Sequence, residues 1–170
     1  MRKLLGLVGV FALVFAVGGS VNLLAQKGTS IHGVWRIVEQ SQTGPNARTV
    51  DRTPVGLGGM IIITERHWSY ITETGDKPRP SLAQGAAASA SADQLRAAWG
   101  AFDAQGGFVE IKGNELILRH LVAKGAGAVT ATVPLVVSFK VDGTAASITQ
   151  VRGASGPFEN PVTWKLTRLE

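Results

Sequence analysis

Hydrophobic and polar positions alternate along most of the chain in short runs, with glycine, asparagine and aspartate falling between them. In "AVTATVPLVVSFKV", residues 128–141, Val129, Ala131, Val133, Leu135, Val137 and Phe139 share one parity, and Thr130, Thr132, Ser138 and Lys140 take the other. Successive side chains of an extended chain point to opposite sides, so this pattern predicts a strand with one buried face. Similar β-rich runs occur in "GVWRIVEQ" (33–40), "GMIIITE" (59–65), "HWSYITE" (67–73), "GGFVEIKG" (106–113), "NELILRHLVAK" (114–124), "AASITQVRG" (145–153) and "PVTWKLTRLE" (161–170). The "ERH" link at 65–67 and the Gly113-Asn114 pair are short enough to make hairpins. About eight strands in succession predict a mainly β chain, a number that permits closure into an up-and-down barrel.

One stretch has a different period. In "SADQLRAAWGAFDAQGG" (91–107), Leu95, Ala98, Trp99 and Phe102 stand at i, i+3, i+4 and i+7, the stripe of an amphipathic helix. Ser91 with Gln94 three positions later forms a capping box, and Gly106-Gly107 supplies a stop. The expectation is one helix over residues 92–104, lying across a barrel opening with Leu95, Trp99 and Phe102 turned inward. The small-residue run "LAQGAAASAS" (82–91) before it reads as a flexible loop, either a plain connector or a lid.

The amino end has another pattern again. Arg2 and Lys3 precede an apolar core at 4–17, and small residues follow, which is the form of a secretory signal peptide. The core is shorter than the roughly 20 residues a membrane span needs, and Gly18, Gly19, Ser20 and Asn22 interrupt it. A cut after Ala25 divides the chain into a signal peptide, 1–25, and one domain, 26–170, in a periplasmic or secreted protein with no membrane attachment after cleavage. There is no cysteine, hence no disulfide and no lipid carried on a thiol. Loss of Arg2 and Lys3 takes the formal charge from +5 to +3. The remaining basic residues are scattered singly, as in Arg36, Arg48, Lys112 and Arg152, so no nucleic-acid partner is expected.

Gly33 and Trp35 on the first strand, a helix interrupting the strands, "GFVEIKGNELILRH" just after it and the closing "TWKLTRLE" together resemble the bacterial lipocalin-like domain family. The resemblance runs from about Gly33 to the end of the chain, although the Thr-Asp-Tyr signature of animal lipocalins is not found. It implies a lipocalin-like antiparallel β-barrel with an internal cavity. It also implies that a basic residue of the last strand, here Arg168, packs over Trp35, a pair with a structural role.

Candidate chemistry is sparse. The chain has no H-E-x-x-H, G-x-S-x-G or P-loop motif, and "GLGG" (56–59) precedes a strand rather than a helix. His32, His67 and His120 lack any local metal-ligand spacing, so neither metal nor cofactor is expected and no catalytic residue is assigned. His120 shares parity with Leu116, Leu118 and Val122, so it points inward if the leucines do, toward a neighbouring polar group, a water or a ligand. On "HWSYITE", either Trp68 and Tyr70 or His67 and Ser69 face the interior; the aromatic pair would give an apolar wall and a hydroxyl. Lys77 and Arg79 between prolines make a cationic rim or a solvated loop.

Three functions fit this pattern. The leading expectation is a protein that binds a small hydrophobic or amphipathic molecule in the barrel, through Trp68, Tyr70, His120, Leu118, Val137 and Phe139. An isomerase or cyclase with His120 as general base needs a carboxylate to orient the imidazole, and Asp103 and Glu110 are the acids nearest in sequence. A protein-interaction scaffold needs a filled barrel and an exposed apolar patch.

Overall fold

The computed structural model describes residues 30–170; the expected signal peptide and its cut after Ala25 lie outside the described residues. The strands are β1 (Gly33–Gln42), β2 (Arg48–Asp51), β3 (Gly59–Ile63), β4 (His67–Glu73), β5 (Phe102–Lys112), β6 (Glu115–Ala123), β7 (Leu135–Asp142), β8 (Ala145–Gly153), β9 (Gly156–Pro157) and β10 (Val162–Arg168). Eight of them form a closed antiparallel barrel in the order β1-β3-β4-β5-β6-β7-β8-β10, because β10 pairs with β8 on one side and with β1 on the other. The short β2 and β9 flank β1 and β8. The mainly β chain anticipated from the alternation is thus observed, as a closed antiparallel barrel.

Chain direction gives the barrel two unlike ends. The base carries the start of β1, the end of β10 and three tight hairpins. Gly113 and Gly143 begin two of these turns with φ of +60° and +59°, a conformation that favours glycine in two-residue hairpins. The longer connections, residues 74–101, 124–134 and 154–161, lie at the opposite end. Inward positions alternate as expected: Trp35 and Ile37, Ile61 and Ile63, Trp68 and Tyr70, Leu116 and Leu118, and Leu166 are all buried.

Trp35 and Arg168 close the base. Trp35 is fully buried and its Nε1 donates to the Ile31 carbonyl at 2.8 Å. Arg168 pairs with Trp35 across the β1–β10 seam and lays its guanidinium 4.1 Å from the centre of the indole. Its Nη1 donates to the His32 carbonyl at 2.7 Å, and Nη2 to the Ser30 carbonyl. One side chain thereby covers the deepest aromatic ring and ties the last strand to the lead-in of the first.

Five local expectations are corrected. The helix, α1, spans Ala92–Gly100 rather than 92–104, and a second short helix, α2, occupies Ala126–Thr130. The Ser91–Gln94 capping box is present, but Ala98 alone is buried on α1 and Trp99 is 58 % exposed. The stripe fails at Phe102, which starts β5 opposite Glu73 and so no longer follows a period of 3.6. Its ring lies between the Arg79 guanidinium, 4.7 Å from the ring centre, and Lys124 Nζ at 5.8 Å. Arg79 is no solvated rim residue: it grips the Glu73 carboxylate with Nε and Nη2 at 2.6 and 2.9 Å, and donates from Nη1 to the Ala98 carbonyl.

The alternation from Val129 to Phe139 is extended only from Leu135 onward, and Val129 and Val133 are 43 % and 47 % exposed. Leu118 pairs with Leu135, so the next pair in register would set Arg119 against Pro134. Proline is confined to the ends and edges of strands, and the pairing of β6 with β7 stops there. Val122 is exposed despite sharing parity with Leu118, because a bulge opposite Gly106-Gly107 takes up Leu121. Gly107 permits it: a Cβ there would lie 1.9 Å from the Arg119 carbonyl oxygen and 2.8 Å from the Leu121 nitrogen.

Two outcomes follow in urea unfolding. Arg168→Met is expected to cost about 1–3 kcal/mol, combining a lost cation–π contact with lost hydrogen bonds from a charged donor. Arg168→Lys should recover only part of it, since an ammonium cannot stack flat and reach both carbonyls. Trp99→Ala, on an exposed helix face, is expected to cost less than about 1 kcal/mol rather than the roughly 3–5 kcal/mol of a buried aromatic truncation.

Candidate functional site

Above the Trp35–Arg168 base the barrel holds an internal cavity of about 90 Å³. A buried water needs roughly 10–15 Å³, an engineered cavity of about 150 Å³ takes up benzene, and drug-sized pockets run to roughly 300–1,000 Å³. The interior is therefore neither filled nor wide open. Its room suits a compact group.

Period-two alternation builds the wall. On β4 the aromatic set faces inward: Trp68 and Tyr70 line the cavity, while His67 is exposed and leans on Phe108 with ring centres 5.3 Å apart. Trp164 on β10 meets Tyr70 edge to face at 5.6 Å, and Ile61, Leu118, Leu135, Val137 and Ile148 supply aliphatic surface. Three polar side chains share the lining: Asp103 and Gln105 from β5, and Gln150 from β8. Gln150 is occupied in part, since its Oε1 accepts from the Val162 backbone N–H at 3.0 Å.

His120 sits beside the cavity without lining it. Its ring meets Trp68 edge-on at 5.2 Å, and its Nε2 lies 2.7 Å from Gln105 Oε1. Gln105 in turn donates from Nε2 to Asp103 Oδ2 at 2.7 Å. A carboxylate only accepts hydrogen bonds, so the amide nitrogen of Gln105 faces Asp103 and its oxygen faces His120. The imidazole therefore carries its proton on Nε2, and Nδ1 is the basic nitrogen of the neutral ring. Burial pushes the His120 pKa below its ordinary value of 6.5, against an opposing pull from the Asp103 charge. Burial, reinforced by Asp103, pushes the Tyr70 hydroxyl well above its ordinary range and keeps the phenol neutral. Trp164 counteracts this weakly, yet its indole N–H makes no full hydrogen bond among the described residues.

Of the residues expected at a binding site, Trp68, Tyr70, Leu118 and Val137 converge on the cavity, and His120 reaches it through Trp68 and Gln105. Phe139 does not line it. It is inward by parity but packs against the core nearer the base, two residues farther down β7 than Val137. Asp103 comes close to His120 only through Gln105, and Glu110 is exposed and paired with Lys112 at 2.9 Å. No group of three His, Asp or Glu side chains that could hold a metal ion forms among the described residues. Gln105, Gln150 and Trp164 were not singled out by the sequence reading. The signal was there for Gln150, which shares parity with Ala146 and Ile148, but the helical reading of residues 92–104 hid the inward alternation of Asp103 and Gln105.

A pH titration checks the His120 environment. Because the folded pKa lies below 6.5, the unfolded chain binds more protons across the window from 6.5 down to the folded value. Stability should accordingly fall as pH drops through that window. The His120 ring signals in NMR should titrate with a midpoint below 6.5, and Asp103→Asn should lower the midpoint further by removing the charge that favours imidazolium. A midpoint above 6.5 would show that burial does not dominate.

Compared with family models, curated proteins and solved structures, the chain finds no match.

Proposed function

We propose that this is an exported lipocalin-like protein whose barrel binds a small hydrophobic or amphipathic molecule without covalent chemistry. The observation that carries the reading is the cavity itself, walled by Trp68, Tyr70, Trp164 and aliphatic side chains and edged by Asp103, Gln105 and Gln150. Apolar area removed from water, at about 25 cal/mol per Å², supplies the affinity, and the polar edge orients the polar end of the guest. A guest larger than a few non-hydrogen atoms leaves part of itself outside or displaces a wall side chain.

A scaffold role is the second reading. Its support is on the outside of the barrel, where Ile71, Phe108 and Val122 are exposed on neighbouring strands β4, β5 and β6.

Quenching of tryptophan fluorescence by a panel of small apolar and amphipathic molecules, with native mass spectrometry of protein purified from its own host, tests binding. Val137→Phe fills the cavity from β7; it is expected to abolish quenching while costing about 1–3 kcal/mol of stability through overpacking. Quenching that survives this substitution would place the guest elsewhere, and an empty protein that no panel member quenches would favour the scaffold.

A further inference from the structure

The chemistry of the cavity narrows its guest beyond "hydrophobic or amphipathic", an inference that rests on the binding reading above. Three of the lining residues are aromatic, and their ring faces carry negative potential. Asp103 lines the same space. Among the described residues it has no cationic partner: its one hydrogen bond is that from Gln105 Nε2, and no arginine, lysine or histidine forms an ion pair with it. The neighbouring titratable groups do not supply the missing charge. His120 is kept toward the neutral form by burial and turns its Nε2 to Gln105. Tyr70 is held as the neutral phenol. Arg52, whose charge reaches Tyr70, is buried outside the lining and donates to the Gly75 carbonyl at 2.6 Å and to Gln40 Oε1 at 2.9 Å.

A carboxylate beside apolar walls is costly unless something positive or hydrogen-bonding meets it. An anionic guest would add like-charge repulsion to that cost, and a purely apolar guest would further desolvate Asp103 with no return. A compact organic cation satisfies both features at once, setting its charge against Asp103 and its polarised methyl or methylene groups against the rings of Trp68, Tyr70 and Trp164. The volume of about 90 Å³ sets the size of the group held inside, so a long-chain amine would leave most of itself outside. We propose that the barrel cavity is a recognition site for a small alkylammonium or comparable organic cation, with Asp103 as the counter-charge and the three aromatic residues as the cage.

Isothermal titration calorimetry with isopropylammonium, its uncharged near-isostere propan-2-ol and the anionic acetate, all compact enough for the cavity, separates charge from shape. The expected order is cation, then neutral, then anion, with isopropylammonium about tenfold or more tighter than the isostere. Asp103→Asn should collapse the gap between the first two, and Trp164→Leu should narrow it with the carboxylate intact. Near-UV circular dichroism of each variant reports that the barrel is folded. Equal or better binding of the isostere or the anion would overturn the cation assignment and leave the cavity as a site for neutral guests. If none of the three binds but other panel members quench and Val137→Phe blocks them, the cation assignment alone falls. If nothing in the panel quenches either, the binding reading falls with it.

Discussion

The barrel depends on closure through β10. That strand pairs with β1 and β8 together, so no edge remains along this seam and its backbone donors and acceptors are satisfied on both sides. Closure also brings the first and last parts of the described chain into contact, which loop-closure entropy opposes. Arg168 offsets that cost where it is greatest. Its guanidinium covers the fully buried Trp35 ring and holds the carbonyls of Ser30 and His32, so stacking, charge-assisted hydrogen bonding and strand pairing act on one joint.

With the base sealed, the interior above it becomes a question of volume. Inward side chains from opposite walls meet around Trp35 but leave a hollow beneath the longer loops. Bulky aromatic residues reduce that hollow to about 90 Å³. The polar groups there are not scattered. Asp103, Gln105 and His120 form one hydrogen-bonded chain from β5 to β6, and the amide between them fixes which imidazole nitrogen holds the proton. A carboxylate in direct contact with His120 would make the ring a stronger base; the glutamine passes on orientation with less charge.

The loops show how side-chain chemistry settles what backbone propensity leaves open. Residues 128–134 alternate as a strand does, yet the pairing with β6 ends at Pro134, and the segment before it turns into α2 and a loop. Phe102 extends the helical stripe in sequence, but pairing with Glu73 and the flanking Arg79 and Lys124 draw it into β5. The second reversal comes from partners distant in sequence, where tertiary contacts override local preference.

Alternation, turn residues and the capping box are local properties, and they were sufficient by themselves for the mainly β class, the Gly113-Asn114 hairpin, the start of α1 and the shared face of Leu116, Leu118 and His120. The resemblance that pairs Arg168 with Trp35 added the base of the barrel. Parity alone left open whether Trp68 and Tyr70 or His67 and Ser69 faced inward, because both sets fit a strand; barrel closure chose the aromatic pair. It was also silent on where parity breaks, as at Leu121, and on whether inward side chains meet or leave a cavity. Those outcomes depend on registers and packed volumes summed over eight strands, which no single segment of sequence contains.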